Sequence, residues 1–363
     1  MTERLKDLFF SDDFVSELGT TIQELYPAFD SSAFSLMVKG DNWESKELKE
    51  KMYHISQCMG RALPEDYPSA LKILEEIASG FGGFDAMIFP DFVEKYGLDH
   101  WELSLKALEQ FTSLCSSEFA IRPFLARDPE RAMKQMYTWA QSDNFHVRRL
   151  ASEGCRPRLP WAMALQVFKK DPGPVLELLE MLKDDPEEYV RKSVANNLND
   201  ISKDHPDKVM DVCERWIAHS KNTDWIVKRA CRTLLKEGNS RALLLFGFGD
   251  PGQIFVEGLS LDRPSLSLGE ELHFSFDLVL KTKGIHKVRL EYGVDFVKSG
   301  GKVSRKIFQI READFETGVH RIKRKQSFKD LSTRKHYPGT HQLVILVNSI
   351  EKASAVFELI KKS

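Results

Sequence analysis

Three carboxylates sit in unusual company. Glu118 lies in Ser116-Ser117-Glu118-Phe119-Ala120-Ile121-Arg122-Pro123, and Glu153 in a run from Arg148-Arg149 through Arg156-Pro157-Arg158 to Pro160-Trp161. Asp200 closes Ser193-Val194-Ala195-Asn196-Asn197-Leu198-Asn199-Asp200. On a helix, Arg149, Glu153 and Arg156 fall at i, i+4 and i+7, so one face presents a carboxylate between two guanidiniums. A helix break and Trp161 follow. Read plainly, this is a surface ion pair, with Trp161 a core residue opening a helix near Pro160. Lys192, Asn196 and Asp200 share another face, in a stretch of small polar residues where a scaffold helix would prefer long charged ones. Asp200 also suits a simple helix end, and Glu118 the first turn of a helix capped by Ser116 or Ser117. Should neighbouring helices bring Glu153 and Asp200 together, adjacent anions inside a basic channel could hold positive charge and orient water.

Other chemistries find no support. Gly80-Phe81-Gly82-Gly83-Phe84-Asp85 is glycine-rich but lacks a following Lys-Ser/Thr and a preceding strand, and reads as a turn between helices. No HExxH, GxSxG or Cys/His nucleophile signature occurs. The five cysteines are scattered without zinc spacing and the ten histidines are dispersed, so neither a metal nor a cofactor is expected.

The elements that position these residues are helices through residue 236. Ser11 caps a run through Phe14, Leu18, Ile22 and Leu25, while Leu48-Met52-Ile55-Met59, Leu71-Leu74-Ile77 and Leu105-Leu108-Phe111 mark others. Further helices are predicted to start near Asp128-Pro129-Glu130, Pro160-Trp161 and Pro206-Asp207, where proline and acids suit a first turn. An internal repeat runs through this part. Asp143-Asn144-Phe145-His146-Val147-Arg148-Arg149 matches Glu187-Glu188-Tyr189-Val190-Arg191-Lys192, and Thr223-Asp224-Trp225-Ile226-Val227-Lys228-Arg229 is a third copy. Val147, Val190 and Val227 are 43 and 37 residues apart, the period of two-helix HEAT-type repeats. Stacked, such repeats pack their valines between neighbours and expose the paired basic residues along a curved surface.

Beyond a linker at 237–251, strand alternation takes over in 252–363, as in Leu272–Leu278, Val288–Val294, 302–310, 342–348 and 354–360. About seven short strands predict an immunoglobulin-like β-sandwich, with Tyr337 placed like a tyrosine corner. The fold class is therefore mainly α, an α-solenoid followed by a β-sandwich. Charge divides along the same line. The net charge is −2 overall, yet residues 1–118 hold 10 Lys and Arg against 22 Asp and Glu, and residues 252–363 hold 20 against 13. Residues 281–335 alone hold 16 basic and 6 acidic side chains. A basic face of this kind suits phosphate, though a merely solvated face has the same composition. Met1–Lys6 shows no apolar signal region, no apolar run is long enough to span a membrane, and the unpaired cysteines fit a reducing cytoplasm.

The segments SSEFAIRPFL, RRLASEGCRPRLPW and RKSVANNLND resemble AlkC-type DNA alkylation repair glycosylases, of the HEAT-like superfamily that includes AlkD. The resemblance implies a bacterial monomer that acts on double-stranded DNA in base excision repair. Its reaction would be hydrolysis of the N-glycosidic bond of cationic bases such as N3-methyladenine and N3-methylcytosine, without full base flipping. It implies catalytic roles for Asp200 and Glu153, which would stabilise the sugar cation and position water, with Glu118 supporting and Trp161 packing on the sugar or backbone. Expected DNA contacts are Arg148, Arg149, Arg156, Arg158, Arg191, Lys192, Lys228 and Arg229 in the repeats, and Lys323, Arg324 and Lys325 in the sandwich. The competing expectation is a non-catalytic HEAT scaffold for a protein or for DNA. Such a groove would expose apolar anchors rather than paired cations.

Overall fold

The computed structural model describes residues 8–40, 42–330 and 335–361. The segment Met1–Lys6 and Arg334 of the basic stretch lie outside the described residues. Two compact units emerge, Met1–Ala230 and Cys231–Ser363.

The first unit is built of paired helices. Ser11 caps Asp12–Leu25 by accepting the Phe14 amide at 3.2 Å, and Asp128 caps Pro129–Trp139 by accepting from Arg131 at 3.0 Å. The heptad-like apolar runs become Leu48–Ala62, Tyr67–Ile77 and Trp101–Phe111. The repeat is real in three dimensions. Helices Phe145–Gly154, Glu188–Ile201 and Lys221–Ala230 stack side by side, while Pro129–Trp139, Gly173–Met181 and Pro206–Trp216 pack against them as the second layer. Val147, Val190 and Val227 are all buried.

Repetition extends to side chains. Arg148 Nη1 donates to the carbonyls of Ser142 and Asp143, six and five residues back. Arg191 Nη1 does the same to Asp185 and Pro186. The rest of the Arg148 fork grips Asp185 at 2.7 and 3.1 Å, tying one repeat to the next. Arg148 and Arg191, both expected to contact DNA, thus brace the inter-repeat turns.

Two local expectations are corrected. Pro160-Trp161 opens no helix: the next one is Gln166–Lys170, and residues 155–165 form a loop. Neither Ser116 nor Ser117 caps a helix around Glu118. The Ser117 hydroxyl donates to the Leu108 carbonyl at 2.9 Å, and the following helix begins only at Arg122.

In the second unit, residues 237–251 are more than a linker, since they carry the helix Ser240–Leu245 and bury Phe248. Asn348 Nδ2 donates to the Gly249 carbonyl and Ser349 Oγ to that of Leu235, fastening this segment to the sandwich. The strands are β1 Ile254–Leu261, β2 Ser265–Ser267, β3 Glu271–Val297, β4 Val303–Ser327, β5 Gly339–Val347 and β6 Ile350–Ile360. Where several short strands were expected, β3 and β4 are 27 and 25 residues long and pair antiparallel. The first half of β3 pairs with β1 and its second half with β5. The β3–β4 register breaks between Leu280 and Ile285, so one ribbon serves both layers. Phe276, Leu278, Leu290, Val294, Leu343 and Ile345 lie in the core between them. His336, not Tyr337, is the buried residue at the expected corner, its ring centroid 5.5 Å from Phe296 and 5.4 Å from Phe328.

Candidate active site

A cavity of about 530 Å³ opens beside the stacked repeat helices, lined by Glu118, Arg149, Glu153, Arg156 and Tyr189, with Phe84, Phe119 and Trp161 completing its walls. Its electrostatics are a relay of alternating charge. Arg149 reaches both Glu118 and Glu153, the latter at 3.4 Å. Arg156 reaches Glu153 at 2.6 Å and Asp200 at 2.8 Å, and Lys203 meets the far side of Asp200 at 3.0 Å. Glu153 and Asp200 therefore converge on one guanidinium. Asp200 is buried behind Arg156 and is not among the residues that line the cavity.

Atom by atom the carboxylates differ. The hydrogen bonds and ion pairs to Glu118 fall on Oε2, from Ser116 Oγ at 2.7 Å and from Arg149, and those to Glu153 fall on Oε1. Glu118 Oε1 and Glu153 Oε2 are thus without a protein partner among the described residues, whereas Asp200 has both oxygens engaged. Each cavity carboxylate is anchored by one oxygen and offers the other. Burial works against charge on the guanidiniums, but it is more than offset by Glu153 and Glu118 at Arg149 and by Glu153 and Asp200 at Arg156. Both pKa values accordingly lie above the ordinary arginine value. Arg149 also stacks on Tyr189, 4.8 Å from the ring centre. Arg149 and Arg156 are nearly buried and committed to carboxylates, so neither is a ready phosphate clamp.

The local backbone explains the placement. Gly154 lets the Phe145–Gly154 helix approach closely, since a β-carbon there would stand 2.6 Å from Ile121 Cγ2. Arg122, wholly buried, donates to the Gly154 and Arg156 carbonyls at 2.8 and 2.9 Å and to Met163 O at 2.8 Å. Burial pushes its guanidinium down to about 10, which keeps it cationic at neutral pH. Ser152 and Ser193 join adjacent repeat helices hydroxyl to hydroxyl at 2.6 Å, setting the level at which Glu153 and Asp200 face Arg156. Trp161 is 64% exposed at the cavity mouth, with φ +64°. That left-handed backbone costs a bulky residue on the order of 1 kcal/mol or more. A core role for Trp161 is excluded.

Cys115 also lines the cavity, but burial, with Glu118 adding, pushes its thiol up to about 12, which leaves no thiolate nucleophile there. Among the described residues no group of three His, Cys, Asp or Glu is placed to hold a metal, and no helix is long and apolar enough to cross a membrane. Of the other expected DNA contacts, Arg158 forks onto Asp204 at 2.6 and 3.0 Å and Lys192 pairs with Glu188 at 2.7 Å. Arg229 sits 5.5 Å from the Trp225 ring, and Lys228 lies one position before it. Lys323 and Arg324 are exposed on β4, and Lys325 beside them pairs with Glu271 at 2.9 Å. Sequence reasoning missed Phe84, Phe119 and Tyr189 as cavity walls. The aromatic in Glu187-Glu188-Tyr189 was visible only as a repeat feature.

Stacked two-helix repeats holding carboxylates against arginines, followed by a β-sandwich, define a class, the helical-repeat proteins of DNA alkylation repair. Residues 91–234 match the family described as DNA alkylation repair enzyme, and 255–361 match the YhaZ C-terminal Ig-like domain. The chain is 44% identical to the uncharacterized protein YhaZ of Bacillus subtilis, over 98% of this chain and 99% of that one. It is also 38% identical, with a TM-score of 0.94, to the alkylpurine DNA glycosylase AlkC of Pseudomonas fluorescens, solved bound to DNA containing an abasic site analog. That match covers 99% and 100% of the two chains. The chain belongs to the AlkC family of DNA alkylation repair glycosylases.

Proposed function

We propose that this glycosylase releases cationic bases, N3-methyladenine and N3-methylcytosine, from double-stranded DNA by hydrolysing the N-glycosidic bond. Alkylation at N3 makes the base a positively charged leaving group, so departure requires little acid assistance. Positive charge then grows on the deoxyribose, and a fixed anion beside C1′ stabilises it. The observation that supports this reading is the pair of cavity carboxylates, each tethered by one oxygen. Glu153 Oε2 and Glu118 Oε1 would face the sugar and a water, while Asp200 holds Arg156 and, through it, Glu153. Trp161 would pack against the lesion's sugar. Phosphates would be met by Lys323 and Arg324 of the sandwich and by Lys192 and Arg229 of the repeats. As the resemblance to AlkC-type glycosylases implies, the lesion would be handled at the edge of the duplex without full extrusion of the base.

Glu153→Gln keeps the Arg149 and Arg156 hydrogen bonds and removes the charge. Base release from an N3-methyladenine duplex should fall about 100-fold or more, with DNA affinity retained, and 2-aminopurine beside the lesion should stay quenched in the bound complex. Wild-type release rates in this variant would remove the catalytic assignment. A bright 2-aminopurine signal would remove the claim about flipping. A wild-type protein that releases no base would leave a DNA-binding scaffold.

A further inference from the structure

Lys49 stands at the second position of the Leu48–Ala62 helix, in the first turn, where the helix dipole disfavours a cation. Its surroundings account for it. The ammonium donates to the Trp161 carbonyl at 2.8 Å, across 112 residues, and lies 4.4 Å from the centre of the Phe119 ring in the cavity wall. Asp91 and Glu94, on the neighbouring helix Ile88–Tyr96, both feel its charge. Asp91 is buried, with Oδ2 lacking a partner.

The loop that carries Trp161 is gripped at three carbonyls, by Arg122 at Arg156 and Met163 and by Lys49 at Trp161 itself. A carbonyl fixed at a residue with φ +64° fixes the peptide plane, and with it the direction of an indole that is otherwise exposed to solvent. Arg122 lies inside the matched segment 91–234, and Lys49 lies outside it, in the acidic N-terminal third. We propose that Lys49 is a positioning residue that holds Trp161 in place at the mouth of the cavity, so that the N-terminal helices form part of the site. This deepens the catalytic reading above and takes from it the role of Trp161.

The test has two arms. In protein labelled with 5-fluorotryptophan, the Trp161 resonance is assigned by its loss in Trp161→Phe. Lys49→Met should shift or broaden that resonance alone among the six tryptophans, and Lys49→Arg, which can still donate to the carbonyl, should restore it. A Trp161 signal unchanged in Lys49→Met overturns the proposal, whether or not the protein releases base. In the second arm, Lys49→Met should lower kcat/KM for an N3-methyladenine duplex by about 10- to 100-fold and should lower it no further in a Trp161→Ala background. Losses that multiply in the double variant overturn the proposal, since Lys49 would then act independently of Trp161. Absent activity in the wild type counts against the catalytic reading and leaves the spectroscopic arm to decide the role of Lys49.

Discussion

At the scale of single residues, the site was legible wherever an i, i+4, i+7 pattern decided which side chains share a face. Arg149 and Glu153 pair across one turn of the Phe145–Gly154 helix, as i, i+4 spacing predicts, whereas Arg156 lies beyond the helix end and reaches Glu153 from the loop. What the sequence could not disclose was which oxygen of each carboxylate is tied down, or that Asp200 stands one layer back, because both depend on the rotation of neighbouring helices. It was equally silent about Glu94, whose carboxyl is pushed up to about 7 by burial and by the charge of Asp91, against the pull of Lys49 and Arg122. The sign of the consequence is definite. Below pH 4.5 the group is protonated folded or unfolded, and nothing is lost. As pH rises through the folded value, the unfolded chain ionises first and stability declines. For a partly buried group the loss is on the order of 2 kcal/mol. Glu94→Gln should therefore flatten the urea-unfolding free energy between pH 5 and pH 8 and stabilise the protein at the upper end. An equal slope in variant and wild type would mean Glu94 is not held protonated.

Whole elements were more readable than their ends. Helices with caps and long apolar periods, such as Asp12–Leu25 and Leu48–Ala62, match their sequence signals. Pro160-Trp161 misled, because proline suits a turn as well as a first helical residue, and here the Arg122 contacts hold an irregular loop. The strands β3 and β4 exceeded expectation because exposed Lys281-Thr282-Lys283-Gly284 looks like a turn between strands, whereas pairing resumes across it with a shifted register. The repeat itself was legible, but the duties of its two basic positions were not. In the first two copies the first position, Arg148 and Arg191, braces the turn, while the second points into the cavity as Arg149 and to solvent as Lys192. Arg148→Ala would leave Asp185, with a side chain only 3% exposed, without its guanidinium partner. Losing a partner from such a pair costs about 3 kcal/mol. The variant should therefore melt well below wild type, while DNA affinity of the folded fraction keeps its salt dependence. A shallower salt slope with unchanged melting would return Arg148 to the DNA surface.

Across the molecule, charge and structure divide at nearly the same place. Unit Met1–Ala230 holds 29 Lys and Arg against 39 Asp and Glu, and Cys231–Ser363 holds 23 against 15. The arginines nearest the cavity carboxylates are neutralised by them, so attraction to a polyanion must come largely from elsewhere. The second unit has the surplus, and much of it lies on β4, whose side chains are mostly exposed and which offers few carboxylates opposite Lys323 and Arg324. Lys325 contributes less, being paired with Glu271. On this reading, replacing Lys323, Arg324 and Lys325 together with Ala weakens binding to damaged and undamaged duplexes alike, because phosphates carry no sequence or lesion information. Each lost phosphate contact lowers the slope of log K against log salt by about 0.9, so two unpaired cations predict a fall of about 2. The rate of base release at saturating enzyme should be unchanged, since these residues belong to the second unit and the carboxylates to the first. An unaltered slope would exclude this face of the sandwich from DNA, and a loss confined to damaged duplex would place it at the lesion itself.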